Sequence, residues 1–140
     1  MPADTFTVDI VAPDRVVLHE EATSLVAPGA LGSLGVLPNH APLLAELGIG
    51  EVRLRNIDGE EHRVAIQGGF LQVGGNQVTI LADAAERAED IDVARARLAC
   101  AEAEEAYRRA SATFDEAQRD EAEAALRRAR NRLRVAGVLP

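Results

Sequence analysis

Two carboxylates and three arginines have the types and spacing best suited to chemistry in this chain. Glu86, Asp92 and Arg95 lie close together in sequence, and Arg128 and Arg132 lie four residues apart further along. Guanidinium groups bind phosphates through paired hydrogen bonds, and carboxylates accept hydrogen bonds from ribose hydroxyls or an exocyclic amine. If folding brings these groups together, they predict an anion site in which a phosphate-bearing nucleotide would balance the arginine charge.

The same five residues also fit a second interpretation. Charged side chains on helix surfaces commonly form solvated ion pairs, so the cluster could simply hold two helix ends together. The sequence pattern alone leaves both interpretations open.

Two helices must position these groups. After Asp90, which can cap a helix, small or apolar residues recur at spacings of three and four, and the pattern is interrupted at 111–115. An antiparallel hairpin with a mostly alanine interface follows, and counting outward from Ala112 places Asp92 level with Arg132 and Arg95 level with Arg128. The two apolar stripes are Ala96, Ala99, Ala103, Ala106 and Ala110, then Ala122, Leu126, Ala129, Leu133 and Ala136.

The first part of the chain has a different pattern, because apolar and polar residues mostly alternate before residue 81. Alternation predicts half-buried strands, and many short strands predict a sandwich or barrel-like sheet. The predicted strands are 5–12, 16–18, 22–27, 43–47, 51–57, 61–67, 70–73 and 77–81, with turns at Asp58-Gly59 and Gly74-Gly75-Asn76.

The segment 28–42 fits neither pattern. It contains Leu31, Leu34, Val36 and Leu37, which make it too apolar for a surface loop without contacts. Its glycines and prolines make it too irregular for a strand. We expect a shaped protrusion whose apolar residues meet the sheet or a partner.

Composition excludes several functional classes. The net charge of −8 argues against nucleic acid as a partner, and the absence of lysine excludes a P-loop and Schiff-base catalysis. The sequence has no nucleophile–base pair and no metal-ligand spacing, so we expect neither an enzyme nor a metal site. No apolar run is long enough to span a membrane, and the single cysteine, Cys100, is expected to be a packed helix residue.

A second group of arginines lies on the opposite face of the second predicted helix. Arg127, Arg130 and Arg134 would form a basic ridge in an otherwise acidic chain. The ridge is either a solvated face or a docking surface for an acidic partner segment.

Four segments together resemble the epsilon subunits of the bacterial rotary F-type ATP synthase, over nearly the whole chain. They are Leu-Gly-Val-Leu-Pro-Asn-His-Ala-Pro-Leu at 34–43, Gly-Gly-Phe-Leu-Gln-Val at 68–73, Ala-Glu-Arg-Ala-Glu-Asp-Ile-Asp at 85–92, and Ala-Arg-Asn-Arg-Leu at 129–133.

This resemblance implies a flattened ten-stranded β-sandwich, residues 1–86, followed by an antiparallel helical hairpin, residues 87–140. It implies a non-catalytic central-stalk subunit on the cytoplasmic face of the bacterial cell membrane, a peripheral component that couples proton flow to ATP synthesis. The sandwich would bind the gamma subunit and the membrane c-subunit ring. The helices would either fold as a hairpin or extend into the alpha/beta catalytic head and restrain ATP hydrolysis.

The resemblance also implies site residues. The family's nucleotide-binding pattern matches Ile91, Asp92, Arg95 and Ala96, with support from Glu86, Arg128 and Arg132, so ATP is the expected regulatory ligand and no catalytic cofactor is expected. The alternative is a purely structural coupling subunit with a permanently closed hairpin and no functional ATP binding. The expected ring and stalk contacts are Ser33, Leu34, Val36, Leu37, Pro38 and His40. Ser33 departs from an often acidic position, and His40 could instead be a structural loop residue.

Overall fold

The computed structural model describes residues 3–139, which form two compact units with their border between Ala88 and Glu89. This border lies two residues after the expected one. In chain order the elements are β1 (Phe6–Ala12), β2 (Arg15–Gly29), β3 (Gly32–Val36), β4 (Leu43–Asn56), β5 (Glu61–Gly74), β6 (Gln77–Ala82) and β7 (Ala85–Arg87), then a 3₁₀ turn (Ala88–Asp90), α1 (Val93–Ser111) and α2 (Glu116–Val135).

The first unit is a two-layered β-structure in which three long strands serve both layers. The first halves of β2 and β4 and the second half of β5 join β1 and β6 in one layer, and their other halves join β3 and β7 in the second. Each layer therefore contains five strand segments, although the chain forms seven continuous strands. The predicted sandwich followed by a helical hairpin is confirmed, while the strand count differs because the long strands continue through their bends.

Two sequence expectations about strands need correction. The run 16–18 and the run 22–27 belong to the single strand β2, and the later short runs likewise merge into β4 and β5. The segment expected to be irregular contains β3, which pairs with the end of β2. Leu34 packs against the core and Val36 is buried, whereas Gly35 between them is exposed, so a strand-like alternation is present despite the glycines.

A glycine pair permits the sharpest bend, in the middle of β5. Gly68 and Gly69 have φ values of +82° and +126°, a region that residues with a side chain rarely adopt. A Cβ atom on Gly69 would lie 2.1 Å from the carbonyl oxygen of Leu81 on β6. The bend thus requires glycine both for its backbone angle and for the close approach of β6.

The core of the sandwich is aliphatic and lies between the two layers. Its fully buried members come from every long strand, and burial mostly alternates along the strands as the pleat requires, with Val64–Ile66 of β5 an exception in which three successive residues are buried. The bulkiest of them are Ile10, Leu25, Leu54, Ile66, Leu71 and Ile80.

The second unit is the predicted helical hairpin, with a defined signal at each helix end. Asp92 and Asp115 cap α1 and α2 by accepting hydrogen bonds from backbone N–H groups three residues later. The expected cap, Asp90, instead belongs to the 3₁₀ turn before α1. At the end of α2, Gly137 has a φ of +85°, and the N–H of Val138 donates to the carbonyl of Leu133 at 3.0 Å. This is a Schellman motif, so Gly137 ends the helix.

The expected apolar stripes lie on the sheltered sides of both helices. Along α1 only Ala96 and Cys100 are fully buried, whereas the remaining stripe alanines are half-buried. Along α2 the stripe residues Leu126, Ala129 and Leu133 are buried. The hairpin therefore has a narrow and thin apolar interface.

Candidate functional site

The start of α1 contains the first group of predicted nucleotide-binding residues. The carboxylate of Asp92 accepts a hydrogen bond from the backbone N–H of Arg95 at 3.2 Å, which fixes the first turn of the helix. Ile91 and Ala96 are buried, while the side chains of Asp92 and Arg95 are exposed. The apolar pair thus anchors the turn, and the polar pair is accessible to a ligand.

The two arginines predicted on α2 are half-buried. Arg128 donates to the Glu121 carboxylate at 3.0 Å, along the same helix. Glu121 is exposed, so this ion pair is solvent-screened and weak. Arg132 also takes part in an interaction within the protein.

One ion pair joins the two helices. Arg130 on α2 lies 3.8 Å from the Glu104 carboxylate on α1. Both side chains are long and lean along their helices, so the pair links α1 to α2 without fixing which backbone positions lie level. That Asp92 lies level with Arg132, and Arg95 with Arg128, stays a prediction.

Glu86 lies in the other unit, on the short strand β7, where it pairs with Ala65 of β5. It is half-buried and takes part in a polar interaction. The seven residues expected to bind ATP are therefore distributed over β7, the start of α1 and the second half of α2.

The three arginines of the predicted basic ridge are exposed on α2, but they do not all point away from α1 as expected. Arg127 makes no ion pair with the described residues, while Arg130 faces Glu104 and Arg134 is engaged within the protein. A cleft of about 360 Å³ between the helices adjoins the ridge and is lined by Glu104, Tyr107, Arg108, Glu123, Leu126, Arg127 and Arg130. Because Glu104 and Glu123 share this cleft, the ridge charge is partly balanced locally.

Cys100 lies beside the same cross-helix contact. Burial, then the negative charge of Glu104 and a 3.8 Å hydrogen bond to it, raise the pKa of the Cys100 thiol, and Arg130 partly opposes this. The thiol is therefore a packed, protonated group at neutral pH, in agreement with the role expected for it.

The expected ring and stalk contacts lie around β3 and the loop that follows it. Ser33 is exposed at the strand start, Leu34 is half-buried and Val36 is fully buried, so Val36 belongs to the core and offers no contact surface. Leu37 is exposed, and Pro38 is half-buried. A largely apolar groove of about 480 Å³ runs beside the β2–β3 turn, with Leu31, Leu34 and Leu44 among its lining residues.

Sequence reasoning missed the polar contacts that order this surface. The side chains of Asn39 and Asn76 bond to each other, and that of Asn39 also bonds to the backbone of Ala3. The ring of His40 donates from Nδ1 to the carbonyl of Ala41 at 2.6 Å. The only sequence signal was the Gly75-Asn76 turn, whose hairpin position was predicted but whose distant partner was not.

Within residues 3–139 no three His, Cys, Asp or Glu side chains come together as a metal site would require. Neither α1 nor α2 has the length and hydropathy of a membrane-spanning helix, nor does any other helix in that range.

Comparison with known families matches both units. The model described as the ATP synthase delta/epsilon chain β-sandwich domain matches residues 5–88, and the model of the long α-helix domain of the same chains matches residues 89–137. The border between the two matches coincides with the border between the compact units.

Curated relatives match nearly the whole chain. The ATP synthase epsilon chain of Moorella thermoacetica is 50% identical over 135 residues, which cover 96% of this chain and 98% of the relative. The epsilon chain of Latilactobacillus sakei is 45% identical over 131 residues, covering 92% and 90% respectively. Among solved structures, a chain of the Euglena gracilis mitochondrial ATP synthase, resolved as OSCP/F1/c-ring, superposes with a TM-score of 0.79 at 26% identity, covering 94% of this chain and 81% of that one.

Proposed function

We propose a function that proceeds from one premise: the chain belongs to the ATP synthase delta/epsilon chain family. It is a non-catalytic subunit of the ATP synthase central stalk. Its detailed partners, its response to ATP and its place in proton coupling form the proposal that follows.

The sandwich unit docks on the gamma subunit and on the c-subunit ring at the cytoplasmic face of the membrane, and so helps to couple proton flow to ATP synthesis. Its exposed apolar surface supports this assignment. Leu31 is fully exposed, and Leu37 and Leu44 are 63% and 71% exposed. Contiguous exposed apolar groups are typical of protein interfaces. Ser33 adds a neutral polar group to this surface, so no ionic contact is expected at that position.

The helical unit acts as a regulator of ATP hydrolysis, and one observation carries this part of the proposal. Only two of the residues of α1 are fully buried, and both are small. An interface of this kind contributes little hydrophobic free energy, so its opening costs little. The helices can therefore exchange between the compact hairpin and an extended form that enters the alpha/beta head and restrains hydrolysis.

ATP stabilises the compact form by binding to the exposed polar groups. Asp92 and Arg95 lie at the start of α1, and Arg128 and Arg132 lie in the second half of α2, which an antiparallel hairpin brings toward the start of α1. A nucleoside triphosphate would lie between the helices, with its sugar near Asp92 and its phosphates near the arginines. Arg128 would give up its ion pair with Glu121 for a phosphate contact. Breaking this solvent-screened ion pair costs little free energy. ATP shifts the equilibrium between the compact and extended forms only to the extent that it binds the compact form more tightly.

Calorimetry of the isolated chain with ATP tests the nucleotide site. Arg132→Ala and Arg95→Ala should each weaken ATP binding at least tenfold. The matched controls are Arg127→Ala and Arg97→Ala, which remove the same charge from the same helices at exposed positions outside the motif. Equal ATP affinity in Arg132→Ala and in the unmodified chain would remove the assigned site.

The alternative is a structural coupling subunit whose hairpin stays closed. Two contacts favour it, because Asp92 already caps α1 and Arg128 already pairs with Glu121. Hydrolysis by the complete complex, measured across a range of ATP concentrations with and without residues 91–140, separates the two. An unchanged rate after the deletion would support the structural role, and a raised rate at low ATP would support regulation.

A further inference from the structure

The loop between β3 and β4, residues 37–42, is held to the rest of the sandwich by side chains. It contains a tight turn at Pro38 and Asn39, but no backbone–backbone hydrogen bond joins it to the other described parts of the chain, and Pro38 and Pro42 have no N–H group to donate. Its exposed residues include Leu37, which belongs to the proposed docking surface. Something other than backbone pairing must therefore fix the position of the loop on the sandwich.

Asn39 supplies part of that constraint. Its side-chain oxygen accepts a hydrogen bond from the N–H of Ala3 at 3.1 Å, and its amide nitrogen donates to the carbonyl of Ala3 at 2.7 Å. The side chain thus pairs with the chain before β1 as a neighbouring strand would. Asn39 has a φ of +67°, a conformation that asparagine tolerates better than most residues.

Asn76 supplies the other part. It follows Gly75 in the two-residue turn between β5 and β6, where both residues have a φ of +57°. Its side-chain oxygen accepts from the N–H of Asn39 at 2.6 Å, and its amide donates to the side-chain oxygen of Asn39 at 3.3 Å. Its own carbonyl accepts from the N–H of Thr7 at 3.0 Å. The rigid hairpin turn therefore reaches the loop directly.

We propose that Asn39 and Asn76 form an amide clamp that positions the loop 37–42 for docking on the stalk and ring, an inference that rests on the proposed docking function. The two asparagines are positioning residues, since they act through the loop and need not touch the partner. A loop that is already ordered loses less conformational entropy when it binds, so the clamp strengthens docking without adding contacts. Releasing it should weaken docking about tenfold, as expected for the loss of one to two hydrogen bonds.

Two substitutions at one position test the clamp. Asn76→Gly keeps the positive φ that the turn needs and removes the acceptor for the Asn39 N–H, while Asn76→Asp keeps that acceptor. Affinity is measured for the full chain binding to ATP synthase complex depleted of this subunit. Hydrogen exchange of the Asn39 amide is measured in the same variants.

Asn76→Gly should raise the dissociation constant about tenfold and speed exchange of the Asn39 amide. Asn76→Asp keeps the acceptor for that amide but replaces the donor to the Asn39 side-chain oxygen with a second oxygen, so it should restore slow exchange of the Asn39 amide and only part of the docking affinity. Asn39→Gly, which removes the bonds to Ala3, should weaken docking independently. Asp58→Gly changes an exposed hairpin turn elsewhere on the sandwich and serves as the control. It should leave docking unchanged.

The clamp is overturned if Asn76→Gly leaves exchange of the Asn39 amide unaltered, or if exchange rises while docking affinity stays the same. Leu37→Ser distinguishes this failure from failure of the proposed docking surface. If Leu37→Ser weakens docking and Asn76→Gly does not, only the clamp is refuted. If neither variant changes docking, the loop is not a docking surface and both proposals fail together.

Discussion

Leu133→Ala tests whether the two helices stabilise each other across their thin interface. Leu133 is 5% exposed and lies on the stripe of α2. Truncation of a buried leucine to alanine costs about 2 to 5 kcal/mol, depending on how far the surroundings can relax. Because its neighbours along both stripes are mostly small and half-buried, the site can relax, and we expect a loss of about 2 to 3 kcal/mol, near the low end.

The loss of stability should also be measurable in α1, the helix that carries no substitution. Hydrogen exchange of α1 amides reports the free energy of opening the hairpin, and 1.4 kcal/mol corresponds to a tenfold change. A loss of 2 to 3 kcal/mol therefore predicts exchange roughly 30-fold to 150-fold faster in α1. Protection of the sandwich core, for example at Ile80, should not change, because the sandwich has its own hydrophobic core.

Leu98→Ala is the matched control. It makes the same substitution in α1 at a position that is 66% exposed. Exposed substitutions of this kind alter stability by about 0.5 kcal/mol or less. The reasoning fails if α1 exchange in Leu133→Ala stays within twofold of the unmodified chain, or if Leu98→Ala accelerates it equally.

Three further predictions concern other parts of the chain. Gly69→Ala should destabilise the sandwich by about 3 kcal/mol or more in urea unfolding, because a Cβ atom would meet the Leu81 carbonyl at a positive φ; Gly74→Ala, where the added Cβ meets nothing within 4 Å, should change stability little. Gly137→Ala should cost about 1 to 2 kcal/mol and increase exchange in the last turn of α2, since only glycine adopts that left-handed conformation without strain; unchanged exchange there would contradict the Schellman assignment. The raised pKa of Cys100 means that the folded chain holds this proton more tightly than the unfolded chain, so its contribution is present below pH 9.0 and is lost as the pH rises through the folded pKa. The helical unit should therefore lose stability above that pH more steeply than in Cys100→Ala, and parallel pH profiles would refute the assignment.

The β half shows why short runs were predicted where long strands exist. The alternating pattern is interrupted at Gly48, Gly50, Gly68 and Gly69, and each interruption looked like a strand end. In the folded chain Leu47 pairs with Gly69 and Ile49 pairs with Gln67, so pairing continues on both sides of the bend. Whether a glycine ends a strand or bends it depends on the neighbouring strand, which sequence alone does not specify.

In the helical unit, too, local features were easier to predict from the sequence than contacts between distant residues. The two apolar stripes were predictable because each depends on residues within a few positions of one another. The cap of α1 was expected two residues too early, because Asp90 and Asp92 can both cap a helix and the 3₁₀ turn that takes up Asp90 was not foreseen. The contact of Glu104 with Arg130 was not predicted, because it depends on how the two helices pack.

The two-part organisation, the class of each part, the apolar faces and the motifs that place the chain in its family all follow from the residue pattern. Only folding in three dimensions shows how strand segments join into continuous bent strands and how Ala3, Asn39 and Asn76 come together from distant positions. Side-chain periodicity is a local property of a few residues, whereas strand pairing and loop order arise from contacts between residues tens of positions apart.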